Sequence, residues 1–260
     1  MDQVKLVQTA VEKVRRITVR VLALTVVGIA VCIALLYGGV ASFHAAARDG
    51  DSAAAKKWLA VGFSPNLRHP RTLDTPLIEA ARHGHLDMVK LLVEKGANVN
   101  LQGEAWYAPL HCAAAAGHIE VMKFLLDHGA DLTLFSGNGH NTPLHEAAAN
   151  GQTEAVALLL AQGAAIGAKG IDEATPLEVA AVNGHAAMVE FLLARGAEVN
   201  SRGLYGRTPL HAAADRDQVE VGRLLLAHGA DPDLECNGRP VHGRSGAFRQ
   251  LLQQHERAPK

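Results

Sequence analysis

The feature that most constrains this chain is a block of about 33 residues that recurs five times. Its anchors are Thr75-Pro76-Leu77, Ala108-Pro109-Leu110-His111, Thr142-Pro143-Leu144-His145, Thr175-Pro176-Leu177 and Thr208-Pro209-Leu210-His211, at intervals of 33, 34, 33 and 33 residues. Each anchor leads into an Ala-Ala pair, then a Leu-Leu pair and a Gly-Ala. A fixed period of this length encodes stacked supersecondary units rather than one globular core.

In the first full copy Thr75 is placed to cap a helix, and Pro76 occupies its first turn, where a missing N–H costs nothing. Leu77, Ala80 and Ala81 face inward, the alanines being small enough for neighbouring helices to approach closely. Gly84 ends this helix with a positive φ. A second helix carries Met88, Val89, Leu91, Leu92 and Val93; Gly96 stops it, and Asn98-Val99-Asn100 opens the outgoing turn. Two helices this short cannot bury their apolar faces alone, so each copy depends on its neighbours. In the fifth copy Asp217 stands where the helix-ending glycine belongs, which predicts a strained or reshaped turn.

The second copy, with Pro109 to Ala114, Gly117-His118, Val121, Leu125-Leu126 and Gly129-Ala130, resembles the ankyrin family, and the in-phase copies carry the resemblance over residues 42–255. Local departures are Ala108 in place of a capping Thr, Ile78 and Glu178 in His positions, and Gln152-Thr153 where His follows Gly elsewhere. The resemblance implies an all-α ankyrin-repeat solenoid of helix-turn-helix pairs with β-turn fingers, preceded here by one N-terminal transmembrane helix. The expected units are a basic segment 1–20, a membrane segment 21–40, a capping unit 42–70, and five repeats at 71–103, 104–137, 138–170, 171–203 and 204–236. A closing unit at 237–255 and a tail at 256–260 complete the chain. Phe43 to Gly50 with Trp58-Leu59 supply the opening unit. Phe248, Leu251 and Leu252 supply the closing one, with Arg244, Arg249, Gln250, Gln253 and Gln254 facing water.

Residues 21–40 contain no charge and are dominated by Val, Leu, Ile and Ala, enough to cross about 30 Å of hydrocarbon. A cleavable signal peptide has an apolar core of about 7–15 residues. This core is longer, and a cut at Ala45-Ala46-Ala47 would enter the first unit, which favours an uncleaved anchor. Lys5, Lys13, Arg15, Arg16 and Arg20 precede the segment, against Arg48, Lys56 and Lys57 after it, so the N-terminus is expected in the cytoplasm. In a bacterium this sets the repeats in the periplasm; the opposite insertion leaves them cytoplasmic. Upstream, Val4, Val7, Val11, Val14, Thr18 and Val21 form a stripe that suits an interfacial helix or a weak homodimer seam.

The net charge of −1 gives no basic field for nucleic acid. Cys112 and Cys236 lie several layers apart at about 8–10 Å per layer, beyond the roughly 7 Å between Cα atoms that a disulfide spans. Fourteen histidines invite a metal or catalytic reading, but most recur in phase. His44, His111, His145 and His211 share one slot, His85, His118 and His185 another, and His128 and His228 precede Gly-Ala, as packing and turn residues do. His145-Glu146 is half of a zinc-protease helix motif whose second His would stand at Ala149. Gly243-Arg244-Ser245-Gly246-Ala247 lacks the last Gly of a nucleophile elbow. The chain is therefore expected to be no enzyme and to hold no cofactor or metal.

By similarity to the family, partners dock on a concave face formed by the fingers and first helices. The positions that fall there include Arg82, His83, Trp106, Tyr107, Phe135, Asn141, Asn150, Ile171, Tyr205, Arg207 and Arg216, and Tyr, Trp and Arg are frequent interface anchors. The expected function is a protein-protein interaction module tethered to the bilayer through Val21–Val40. For a bacterial host the chain resembles inner-membrane-anchored ankyrin proteins of the periplasm. That resemblance implies as alternatives an immunity or inhibitor protein that neutralises a toxin or enzyme, or an accessory to periplasmic oxidative-stress defence.

Overall fold

The computed structural model describes residues 38–137 and 140–257. Residues 38–49 form helix α1 and Ser52–Ala60 form α2. The five full copies follow as pairs: α3 (Pro76–Arg82) with α4 (Leu86–Glu94), α5 (Pro109–Ala116) with α6 (Ile119–Asp127), and α7 (Pro143–Ala149) with α8 (Thr153–Ala161). Next come α9 (Pro176–Val182) with α10 (Ala186–Ala194) and α11 (Pro209–Asp215) with α12 (Val219–Ala227), and α13 (Gly246–Arg257) closes the stack.

The inner helices α3, α5, α7, α9 and α11 each start with Pro in the first turn, and in three of them the Thr before it supplies the cap. Thr75 Oγ1 accepts the Ile78 N–H at 3.3 Å, and Thr175 and Thr208 repeat that bond at 3.3 and 3.4 Å. Ala108 has no hydroxyl; there His111 Nδ1 accepts the Ala108 N–H at 3.2 Å. Gly84, Gly117, Gly151 and Gly184 end the inner helices with φ between 67° and 76°. Asp217 holds the same left-handed conformation at φ 57°. The fifth turn is thus strained but not reshaped, and the Asp217 carboxylate accepts a hydrogen bond from Ser245 of the closing unit.

The inner helices stack closely in the order α3, α5, α7, α9, α11, whereas α4, α6 and α8, and then α10 and α12, lie further apart. The cause is the buried alanine pairs Ala80-Ala81, Ala113-Ala114, Ala147-Ala148, Ala180-Ala181 and Ala212-Ala213, which place only methyl groups between the inner helices. Tighter spacing on that side curves the stack and makes the inner row its concave side. Leu77, Leu110, Leu144, Leu177 and Leu210 run through one continuous core with Met88, Met122 and Met188 beneath the outer helices. Phe43 and Phe248 are fully buried at the two ends. Phe248 can seat because Gly222 has no Cβ, which would lie 2.6 Å from its ring.

Two polar devices fasten neighbouring units, each at three junctions. His85, His118 and His185 donate through Nε2 to the carbonyls of Arg48, Arg82 and Ala149 at 2.8, 3.1 and 2.8 Å, capping the C-terminal end of the preceding inner helix. Asn66, Asn100 and Asn200 each reach the next outer-helix turn, donating to Gly96, Gly129 and Gly229 and accepting from Asn98, Asp131 and Asp231. Thr133 and Gly167 occupy the equivalent positions of the second and third copies, and beside them opens a mainly apolar hollow of 260 Å³.

Among the described residues no helix is long and apolar enough to cross a membrane. The expected span 21–40 lies outside the described residues except for 38–40, and the Val4 to Val21 stripe and Cys32 lie outside them entirely. Gly38 and Gly39 are helical and continuous with Ser42, so no break separates them from the opening unit. A Cβ on Gly39 would lie 2.9 Å from Phe63, so this turn packs against the cap. Cys112 and Cys236 are both free thiols.

Gly167 lacks the asparagine clamp and has open space where a Cβ would project. Gly167→Asn should therefore raise unfolding stability by about 1 kcal/mol, from one regained inter-repeat hydrogen bond and reduced chain entropy. Urea denaturation monitored by helical circular dichroism checks this.

Candidate binding face

Three positions of the repeat bring polar groups to the concave side. The residue before each anchor is Asp74, Tyr107, Asn141, Ala174 or Arg207; one turn into the inner helix stand Glu79, Cys112, Glu146, Val179 and Ala212. Near the helix end stand Arg82, Ala115, Ala149, Val182 and Asp215. At the first copy Arg82 donates to Asp74 at 2.8 Å and lies 3.5 Å from Glu79. At the other end Arg207 bridges Glu178 and Asp215 at 3.3 and 3.2 Å. Between them Glu146 Oε1 accepts from Tyr107 Oη, Ser136 Oγ and Asn141 Nδ2, each at 3.3 Å. Arg82, Tyr107, Cys112, Ala115, Ala116 and Glu146 line a hollow of 360 Å³.

Beyond the inner helices project the fingers. Their tips are single tight turns at Glu104–Trp106, Ile171–Glu173 and Leu204–Gly206. Ala105, Trp106, Asp172, Glu173 and Tyr205 all have φ between 50° and 61°, a conformation that side chains resist. The turns are held by the scaffold. Asp74 accepts from Glu104 N–H and Asn141 from Ile171 N–H, both at 3.1 Å, while Gln102 donates to the carbonyls of Trp106 and Phe135 at 2.7 Å. The tips carry a row of exposed apolar side chains: Trp106 at 62 %, Tyr205 at 69 %, and Phe135, Ile171 and Leu204.

The expected contact positions therefore divide. Trp106, Phe135, Ile171 and Tyr205 form the outward row, and Arg82 and Tyr107 line the hollow. Asn141 and Arg207 are engaged in internal bonds. Asn150 is exposed and donates to the Glu146 carbonyl at 2.8 Å. His83 is exposed 3.9 Å from Glu79, and Arg216 is exposed after the end of α11. Sequence reasoning placed no weight on Cys112 or on Glu146 beyond an incomplete metal motif. The signal available for Glu146 was an acidic residue at a position held by Cys, Val or Ala in three other copies.

The in-phase histidines serve the scaffold. His111 Nε2 donates to Leu134 and Asn141 carbonyls at 3.0 and 3.2 Å, and His145 Nε2 to Ala168 and Ala174 carbonyls at 3.1 Å. Each ring thus ties an inner helix to the following finger as a neutral imidazole. Burial pushes His44 and His111 down to about 4, and lowers His145 and His211 in the same direction. Among the described residues His44 Nδ1 and His211 Nε2 have no hydrogen-bond partner. Burial pushes the Glu178 carboxyl up to about 7 against the opposing pull of Arg207 and Lys169. It pushes the Cys112 thiol up to about 11, so Cys112 is a poor nucleophile. Among the described residues no group of three His, Cys, Asp or Glu is arranged to hold a metal ion.

The family model for ankyrin repeats (three copies) matches residues 43–136 and 144–236, most of the chain. The chain is an ankyrin-repeat protein. Its solenoid is similar to the crystal structure of the human ASB11 ankyrin repeat domain, with a TM-score of 0.73 and 33 % identity, covering 84 % of this chain and 99 % of that one. Among curated proteins it is 50 % identical over 60 residues to rice (Oryza sativa subsp. japonica) "Probable E3 ubiquitin-protein ligase XBOS33", covering 22 % of this chain. It is 37 % identical over 65 residues, 25 % of this chain, to an ankyrin repeat-containing protein of Schizosaccharomyces pombe. These stretches span only 11 % and 31 % of those relatives. Ankyrin repeats are in general non-enzymatic scaffolds for protein-protein interaction, and the open face described above is of that kind.

The buried histidines set a pH dependence. Their folded-state values lie below the ordinary 6.5, so the folded state binds fewer protons than the unfolded chain, and stability is lost as pH falls from 6.5 towards about 4. His44 and His111 each contribute about 3 kcal/mol to that loss. Glu178 acts oppositely, since its raised value favours the folded state as pH falls from about 7 to 4.5. Melting temperature should drop on acidification from pH 7 to 4.5, and the drop should be steeper in Glu178→Gln; calorimetry across that range checks both.

Proposed function

We propose that this protein is a membrane-tethered, non-enzymatic module that holds a partner protein on its concave face, with the repeats on the outer side of the membrane. The observation that carries the binding reading is the row of exposed apolar side chains on fingers whose backbones are fixed by inter-repeat hydrogen bonds. Such a row is prearranged, so docking immobilises few groups and retains more of the contact energy. Trp106 and Tyr205 are the types that most often dominate an interface, and they sit on separate fingers that one extended partner surface can span.

The tether rests on the uncharged run 21–40, and the orientation on the excess of Lys and Arg before it. The opening unit lies immediately after that run, so the solenoid would stand close to the bilayer with restricted reach. This geometry suits a partner that is itself at the membrane surface or is to be held there. If the host is bacterial, the outer side is the periplasm.

Two measurements test the reading. Crosslinking in native membranes followed by affinity capture identifies the partner, and Trp106→Ala with Tyr205→Ala should weaken its binding by at least about tenfold while leaving the melting temperature within a few degrees. Unchanged affinity would overturn the placement of the site. For the orientation, alkaline phosphatase fused to the C-terminus should be active in a bacterial host, and an inactive, well-expressed fusion would place the repeats in the cytoplasm.

A further inference from the structure

The concave face repeats one electrostatic arrangement at its two ends and leaves it incomplete in the middle. In the first copy Arg82 lies between two carboxylates, Asp74 and Glu79; in the fifth Arg207 lies between Glu178 and Asp215. Glu146, between them, is only 8 % exposed, yet among the described residues no cation meets it. Its three partners, Tyr107, Ser136 and Asn141, are neutral, all reach the same oxygen Oε1, and all stand at a long 3.3 Å. Oε2 has no donor among the described residues, and it is not sealed among the buried polar atoms that lack a partner. Glu146 forms part of the wall of the 360 Å³ hollow.

Ala115 stands where the first and fifth copies carry Arg82 and Asp215, so no long side chain fills the hollow from that position. Ala115 and Ala116 open the space, and Tyr107 stands as an aromatic wall. Arg82 borders it from the first copy but is engaged by Asp74 and Glu79. Three carboxylates against one guanidinium leave the surroundings two charges negative, and His83, beside Glu79 at 3.9 Å, adds a positive charge only when protonated. A buried carboxylate with an oxygen that no described residue engages, at a hollow walled by a phenol ring and set in net negative surroundings, is complementary to a cation on a slender apolar stem.

We propose that this hollow receives a basic side chain of the partner protein, arginine in preference to lysine, with Glu146 as its counter-ion. The incoming guanidinium supplies at the third copy the cation that Arg82 and Arg207 supply at the ends. A planar guanidinium can pair with the carboxylate while stacking on Tyr107, which an ammonium does less well. This inference rests on the reading that the concave face binds a protein, and it specifies the residue that face selects.

The test uses the full chain in detergent micelles with its alanine methyl groups labelled, titrated with N-acetyl-arginine amide and with its uncharged isostere N-acetyl-citrulline amide. The Ala115 and Ala116 methyl resonances should shift with the arginine compound, and binding should be weaker by about tenfold for citrulline. Glu146→Gln should abolish the difference between the two compounds. Ala116→Leu, which fills the mouth without touching a hydrogen bond of Glu146, should abolish the shifts and guards against a folding defect in the first variant. Equal response to both compounds, no response to either, or an unchanged preference in Glu146→Gln would overturn the inference. The wider reading fails separately: if arginine binds here while Trp106→Ala with Tyr205→Ala leaves partner affinity intact, the concave face is not the docking site for that partner.

Discussion

The whole molecule depends on the close approach of neighbouring inner helices, which the alanine pairs permit. A helix of seven or eight residues is too short to be stable by itself, and a pair of such helices buries too little to offset the entropy of ordering it. With only alanine methyl groups between layers, α5, α7 and α9 each contact the inner helix on either side, and Leu77, Leu110, Leu144, Leu177 and Leu210 become one continuous core. The same closeness brings polar edges within reach of the next copy. His118 can cap the carbonyl of Arg82, and Gly84 must be glycine because a Cβ would meet that ring at 2.7 Å. Curvature follows too, since the outer helices keep their larger side chains between layers. Stacking, capping and the concave face are consequences of one steric choice.

The fingers show how such a scaffold holds strain. Ala105, Trp106, Asp172 and Tyr205 adopt left-handed backbone conformations without being glycine. They persist because the fingers are bonded to neighbouring segments, the first two through Asp74, Gln102 and Asn141 and the last through the Asn237 N–H, which donates to the Tyr205 carbonyl. The outcome is that bulky apolar side chains are displayed in fixed directions rather than collapsing onto the core. An interaction surface of this kind is costly to form locally but is stabilised by the array, which is why a solenoid can present it on turns.

Much of the fold was legible in the chain, for a specific reason. In a solenoid the stabilising contacts lie one period away, so periodicity in the sequence reports directly on spatial neighbours. The anchors located the helix starts, the glycines located their ends, and the recurring histidine slots announced scaffold residues. Less was legible at the ends and in the polar layer. Of the asparagine clamps only Asn100 was read, as a turn residue, and Asn66 and Asn200 passed unremarked, because their partners lie about one repeat further on. Asp217 announced strain, but its bond to Ser245 depends on where the closing unit folds back.

The sequence by itself determined the architecture, the number of copies and the set of side chains that had to lie on the fingers and inner helices, because these follow from a repeating pattern of apolar, small and turn residues. Only the tertiary structure decided which of those side chains are free. Arg207 and Asn141 are engaged by residues of other copies or fingers, whereas Trp106 and Tyr205 project into solvent and Glu146 has one oxygen that no described residue engages. That distinction turns on distances between groups up to 39 residues apart, which depend on how each copy is rotated on the last, and the order of residues does not encode that rotation in any local form.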